Sequence, residues 1–468
     1  MAEVAALPFP IALYLHVPFC ATRCHYCDFN TYAGLEAFFE PYVAALCREI
    51  RSAGAARGRP PASTIFIGGG TPTVLPADLL AQALAACREA FDVAAEAEIT
   101  CEANPGSATA LRTAAHAGRG ASAKPPCGTT GEKLTQRRQD AKMARRTQRS
   151  LAPFAPLREA SRAVFRTGTA DQPAFALLRQ LGVNRLSLGV QSFDDDELRW
   201  LGRIHTSAEA TAAFMAARAA GFTNLNLDLI FGLPGQPPAT WRRTLAHAVR
   251  LQGEHLSLYG LTLEEGAPLA DRVRRGLSPA PDEDLAADLY LFAADFLAAH
   301  GYVQYEISNW ARPSQTALAD LHAPASDHRC RHNLTYWHRE PYLGFGAGAH
   351  SFETASEAAG ADRRWWNVRA VPEYIQRMNT AGSAETGHET IGGRLAMGEM
   401  MMLGLRLTAE GVSDARFRER FGVEMAEVFG QEIRRLAGRG LLERLPDRVR
   451  LTPGGRLLGN RVFAEFLP

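Results

Sequence analysis

Three cysteines carry the chemistry most openly. Cys20, Cys24 and Cys27 stand in LYLHVPFCATRCHYCDFNTY at C-x3-C-x2-C spacing, directly after the apolar, strand-like run Ile11–Val17. Thiols that close in sequence reach one metal centre from a single loop. Their number narrows the choice of centre. A closed structural zinc site takes four ligands, whereas a cubane iron–sulfur cluster held by three cysteines keeps one iron open for a small molecule. Zinc, or three cysteines grouped by chance, stand as the alternatives. The other five (Cys47, Cys87, Cys101, Cys127, Cys330) are scattered and lack the dense spacing of a disulfide scaffold.

A second set of polar residues falls at the ends of strand-like runs. GGGTPT (Gly68 to Thr73) follows TIFI, and its glycines let backbone amides approach a ligand with no Cβ in the way. It lacks the spacing of a dinucleotide fingerprint and the lysine of a P-loop, and alone it reads equally well as a tight turn. Glu102 and Asp228 end two further strands, where a carboxylate suits an ammonium group or ribose hydroxyls but also serves as a helix N-cap or salt-bridge partner. Gln191 and Arg203, and Thr262 with Glu264, complete the set. An isolated arginine is more often a surface residue.

The elements that must position these residues alternate. STIFIGGG, AEITCEANPG, VNRLSLGVQSF, FTNLNLDLIFGLPG and EHLSLYGLTLE are short β-type runs ending in turn residues. Helix-like stretches such as PADLLAQALAACREAF, SAEATAAFMAARAAG and PATWRRTLAHAVRLQ separate them. Strand, loop and helix repeated about six times imply an α/β fold, a partial (β/α)6-type parallel barrel, with chemistry at the C-terminal strand ends. From about Thr390 the alternation gives way to helices and a probable hairpin, LERLPDRVRLTPGG. That pattern implies a smaller, mostly helical, winged-helix-like domain, with the Met401–Met402 run in its core. The expected division is 1–385 and 386–468, and the winged-helix shape alone implies no DNA binding.

The chain has 468 residues, 46% of them hydrophobic, and a net charge of +1, which gives no general preference for nucleic acid or membrane. Charge is uneven: residues 107–172 hold thirteen Lys or Arg against four Asp or Glu. Within them, 107–170 reads as a solvated, mobile insertion, with a basic partner-binding arm as the alternative. A second insertion spans 314–327. No run reaches the roughly 20 apolar residues of a membrane span, and the N-terminus does not read as a signal peptide. The expected compartment is the reducing cytoplasm, with peripheral membrane contact left open.

Taken in order, LYLHVPFCATRCHYCDFNTY, FIGGGTPT, EANPG, NRLSLGVQSF, DLIFGLPGQ, SLYGLTLEEG, YEISNWARP, RHNLTYW and YLGFGAGAHS resemble the radical S-adenosylmethionine proteins of the coproporphyrinogen-oxidase-like group, and most of all its HemW-type haem chaperones. The resemblance implies a [4Fe-4S] cluster on Cys20, Cys24 and Cys27, with S-adenosylmethionine on the fourth iron. It places Tyr14 and Tyr26 beside the cofactor, Gly69, Gly70 and Thr71 at its methionine part, and Glu102, Gln191, Arg203, Asp228 and Thr262 at further contacts. In this chemistry the reduced cluster cleaves the sulfonium to a 5'-deoxyadenosyl radical.

One departure separates the subfamilies. The oxidases resemble a pattern with a fourth cysteine two residues past the triplet, where this chain has Phe29. HNLTYW (His332 to Trp337) is similar to the HNxxYW signature of the haem-chaperone branch, which implies haem as bound cargo at His332, Tyr336 and Trp337. A histidine beside aromatics also serves as a hydrogen-bonded structural residue, and His322 and His328 compete as haem ligands. The expected function is binding haem and delivering it to a haem-requiring acceptor protein. The alternative is an enzyme, an oxygen-independent coproporphyrinogen III oxidase of the radical SAM oxidoreductase type.

Overall fold

The computed structural model describes residues 10–107, 171–313, 328–354 and 361–468. The two insertions, apart from Ser107, and His322 lie outside the described residues.

Six strands, β1 (Ile11–Val17), β2 (Pro61–Gly69), β3 (Asp92–Ala103), β4 (Arg185–Gln191), β5 (Leu225–Phe231) and β6 (His255–Gly260), pair in parallel in chain order. Their residues are largely buried on both faces, apolar toward the outer helices and more polar toward the inside of the arc (Thr64, Glu98, Arg185, Ser187, Asn226, His255); in β1 every residue but Tyr14 is buried. Between the strands run α1 (Phe39–Ala56), α2 (Ala77–Ala90), α3 (Asp171–Gln180), α4 (Asp195–Trp200), α5 (Ser207–Ala219) and α6 (Pro238–Leu251). Local signals set their starts. The Asp194 carboxylate accepts from the Asp196 and Glu197 amides ahead of α4, and Thr206 with Glu209 closes a capping box on α5.

The sheet curls without closing. Neighbouring strands lie about 4.8 Å apart, so a flat sheet would hold β2 and β6 far from each other. Instead Gly69, Glu102, Asp228 and Tyr259, at the ends of β2, β3, β5 and β6, line one cavity. Beyond β6, α7 (Pro268–Arg274) and α8 (Glu283–Ala299) lead to an antiparallel pair, β7 (Val303–Glu306) and β8 (Asn309–Ala311), which ends that edge. On the other side β1 is internal. It pairs in parallel with β9 (Tyr342–Phe345), followed by antiparallel β10 (His350–Glu353), β11 (Asp362–Asn367) and β12 (Glu385–Ile391).

The short helix α9 (Arg331–Trp337) sits against the concave face. Its first amides, those of Arg331 and His332, donate to the buried Glu98 carboxylate of β3 at 3.1 and 3.2 Å, so a side chain from another element caps it. Deeper in, His255 Nδ1 donates to Asn226 Oδ1 at 2.6 Å, and its Nε2 pairs with the Tyr305 hydroxyl at 2.8 Å. The interior of the arc is therefore a hydrogen-bonded polar network, enclosed by the apolar packing between strands and outer helices.

Strand β12 belongs to the large sheet, so the second core begins later than the expected boundary, at α10 (Gly393–Gly404). There Met401, Phe417, Phe429, Leu436, Val449 and Phe466 pack together, with Met402 against them. Helices Asp414–Phe421 and Met425–Gly438 and the three-stranded sheet of Val412–Ser413, Arg448–Leu451 and Leu442–Arg444 complete the winged-helix-like arrangement. The two cores are joined by polar contacts: Thr408 donates to the Gln304 carbonyl at 2.7 Å, and Arg406 pairs with the buried Glu306 at 3.3 Å while its guanidinium lies 4.3 Å from the Trp337 ring centre.

Candidate functional site

The cysteine loop leaves β1 and returns over the C-terminal ends of the strands. Two backbone contacts hold it there. Thr71 N–H donates to the Phe19 carbonyl at 2.8 Å, and Gly70 N–H donates to the Val17 carbonyl at 2.8 Å. These bonds explain the glycine run: a Cβ on Gly70 would come within 2.5 Å of the Phe19 oxygen, and one on Gly69 (φ +110°) within 2.5 Å of the His16 ring. On the far side, His25 Nδ1 donates to the Trp200 carbonyl at 2.9 Å, which docks the loop onto the end of α4.

Together these elements enclose a cavity of about 390 Å³. Cys20, Cys24, Tyr26, Cys27, Gly69, Gly70, Thr71, Glu102, Gln191, Arg203, Asp228 and Thr262 all line it. Twelve positions spread over most of the described barrel thus meet in one place. Tyr14 does not join them; its side chain faces a neighbouring cavity that shares Gly69 and Glu102 with the first.

Arg203 ties the thiols to the strand ends. Its guanidinium donates to Cys24 Sγ at 3.3 Å, to Asn104 Oδ1 at 2.5 Å and to the Gly189 carbonyl at 2.7 Å. Asn104 in turn donates to Thr71 Oγ1 at 2.7 Å, and Thr71 to Cys20 Sγ at 3.6 Å. Asn104 and Gly189 were not among the expected site residues. Asn104 follows the end of β3, and a Cβ at Gly189 would come within 2.6 Å of its side chain.

The acids are built to face a cation. Glu102 accepts the Gly69 N–H at 3.0 Å; burial and then the nearby Asp228 push its carboxyl up to about 7. Asp228 is also raised by burial, although Ser187 and Asn226 donate to it at 2.9 and 2.8 Å. Two buried carboxylates on one cavity repel each other until a cationic group sits between them. Gln191 is held at φ +70°, a strained conformation for a side chain of its type, and its Oε1 is buried without a partner. A buried acceptor aimed into a cavity calls for a donor from outside the chain.

The donor set fits the implied cofactors. Among the described residues no three His, Cys, Asp or Glu side chains converge tightly enough for a single metal ion. A cubane places its cysteine ligands at separate corners, so three thiols around one cavity suit it better than a mononuclear site. Burial raises the Cys20 thiol to about 11, so metal loading must displace its proton. The paired acids and the orphaned Gln191 oxygen match a ligand that carries a sulfonium, an ammonium and hydroxyls, whereas the Gly69 and Gly70 amides, expected to face it, already donate to Glu102 and Val17.

Comparison with known proteins agrees with this geometry. The Radical SAM superfamily profile matches residues 14–121 and 129–248, and the HemN C-terminal domain profile matches 395–458. The heme chaperone HemW of Bacillus subtilis is 32% identical over 97% of this chain and 98% of its own length. That of Mycobacterium tuberculosis (strain H37Rv) is 33% identical over 98% and 95%. The chain belongs to the HemW family of radical SAM proteins. The solved structure of Escherichia coli coproporphyrinogen III oxidase (HemN) superposes with a TM-score of 0.70 at 23% identity, covering 99% of this chain and 91% of that one, a likeness of fold.

Within this HemW-family chain, the three residues expected at haem share no face: His332 and Tyr336 bond to each other, and Trp337 points elsewhere. His332 is 1% exposed. Its Nδ1 pairs with Thr64 Oγ1 and its Nε2 with the Tyr336 hydroxyl, both at 2.8 Å, and burial lowers its pKa to about 3. Both ring nitrogens are engaged, so in this arrangement the imidazole locks α9 into the arc and presents no free atom to iron. Tyr336 reaches the second cavity, while Trp337 turns away to stack under Arg406 at the junction of the two cores. The sequence places the three residues side by side, but a helix of this length sends neighbours in different directions.

Proposed function

We propose that this protein is a haem chaperone built on a [4Fe-4S] and S-adenosylmethionine core, which binds haem and passes it to a haem-requiring acceptor. One observation carries the reading: in a chain of the HemW family, three cysteines and all but Tyr14 of the residues expected for S-adenosylmethionine line one cavity. The cluster, when bound, supplies an open iron and an electron to the sulfonium ligand. The chain's own residues do the rest. Arg203 holds Cys24, Asn104 and Gly189 together, Glu102 and Asp228 provide negative charge for the ligand's cationic groups, and Gly69, Gly70 and Thr71 line the cavity with little side chain in the way. Phe29, where the oxidases carry a further cysteine, supports carriage of haem over porphyrinogen oxidation. The same reading places a radical SAM unit ahead of a C-terminal HemN-like unit. It requires a reducing compartment, the cytoplasm, to keep the thiolates free for iron.

Anaerobic reconstitution tests the core. About four irons per chain are expected, as one cubane requires. Replacing Cys20, Cys24 and Cys27 together by Ala should abolish them. Retention of full iron in the triple variant rejects the ligand assignment, and conversion of coproporphyrinogen III to a vinyl porphyrin by the wild type rejects the chaperone reading.

A further inference from the structure

The second cavity, about 630 Å³, lies beside the first and shares Asp28, Phe29, Gly69 and Glu102 with it. Its volume falls within the range of pockets for drug-sized ligands. One wall comes from the antiparallel extension of the sheet. There His350, the first residue of β10, sits opposite Trp366 of β11, and the two rings stack with centroids 5.7 Å apart at 26°.

Three imidazoles lie in or near this cavity, and two are fully engaged. His16 pairs with the Tyr14 hydroxyl and the Asn30 carbonyl, each at 3.0 Å. His332 is locked between Thr64 and Tyr336. His350 is exposed and hydrogen-bonds to no described residue. The Arg369 guanidinium, also at the cavity, forms no ion pair with a described residue. Aromatic surface surrounds them: Tyr342 meets Tyr336 edge-on at 4.6 Å, and Phe29, 62% exposed, stands at the boundary with the cluster cavity.

We infer that this cavity is the cargo site for a flat, anionic metalloporphyrin, with His350 as the axial iron ligand, Trp366 stacked on that imidazole to orient it, Phe29 against the ring, and Arg369 for a propionate. The inference rests on the haem-carrying reading above and moves the ligand from His332 to His350. Chemistry supports each role. Partial desolvation of the ring, whose residue is otherwise exposed, then Arg364 and Arg369, lower the His350 pKa, which keeps the imidazole neutral and able to bind iron. An aromatic face suits a porphyrin plane, and guanidinium pairs with carboxylate in a fork. The site places the cargo next to the cofactor, at the position where the sequence has Phe29.

Hemin titration of the full chain, followed by its absorbance, tests the assignment. His350→Ala is expected to weaken hemin binding at least tenfold and to remove the imidazole-ligated Soret band. His350→Met should retain binding with a shifted band, and S-adenosylmethionine binding by both reconstituted variants reports an intact fold. Wild-type binding with an unchanged spectrum and affinity in His350→Ala overturns this site while leaving the haem-carrying reading in place. No hemin binding by the wild type overturns both.

Discussion

Glu102 offers the sharpest test of the cofactor cavity, because its charge state and its contact can be changed separately. Its carboxyl is fully buried and accepts the Gly69 N–H, and burial followed by Asp228 pushes its pKa up to about 7. A cationic ligand binds the ionised form, and a raised carboxyl pKa means that form is lost as pH falls through 7. About nine-tenths of the groups are ionised at pH 8 and about one-tenth at pH 6, so the Glu102 contribution to affinity should fall about tenfold between them. Glu102→Gln keeps an acceptor for Gly69 but removes the charge. A charge-assisted hydrogen bond contributes about 1.5–3 kcal/mol, so the variant should bind S-adenosylmethionine about 10- to 150-fold more weakly at pH 8. The ratio of wild-type to variant affinity should then shrink about tenfold at pH 6, a comparison that cancels titration of the ligand itself. Calorimetric titration of anaerobically reconstituted protein at both pH values provides the numbers. Equal affinities for wild type and variant at pH 8, or a ratio that does not change with pH, refute the role given to Glu102.

Three further outcomes follow from the packing. Gly70→Ala forces a Cβ against the Phe19 and Val17 carbonyls, which lie 2.5 and 2.9 Å from it; a loss of about 1–3 kcal/mol, seen as a lower melting temperature, and reduced iron incorporation are expected. His332→Ala leaves a cavity and strips the Thr64 and Tyr336 hydroxyls of a partner, and should cost about 2–4 kcal/mol in denaturant unfolding while the hemin spectrum stays that of wild type. Arg406→Met leaves Glu306, which is 0% exposed, without its cation; destabilisation of about 3 kcal/mol is expected, and Glu306→Gln added to it should recover part of that loss in a double-mutant cycle.

The parallel core was legible because buried strands declare themselves as short apolar runs closed by turn residues, and all six appear where the sequence placed them. The cofactor cavity was legible for a related reason: in such a fold polar residues at strand ends converge. The antiparallel extension from Tyr342 to Ile391 was not read. Its strands mix Arg, Glu and Trp, since one face meets solvent, and DRRWWN or ETGHETI carry no buried-strand signature. Missing that extension hid the second cavity and left His332 as the natural haem ligand. Nothing local in HNLTYW reveals that Thr64, on a strand far back in the chain, already occupies the imidazole. Gln191 likewise was legible as a strand-end amide, but its left-handed backbone and unpaired oxygen come only from the fold.

The central claim is that one chain holds a radical SAM core and carries haem without oxidising a porphyrinogen. Parallel titrations of the anaerobically reconstituted full chain with S-adenosylmethionine and hemin, with coproporphyrinogen III turnover assayed under reducing conditions, test it most directly. The account predicts about four irons per chain, saturable binding of both ligands and no vinyl product. Failure to bind hemin, or accumulation of vinyl porphyrin, contradicts it.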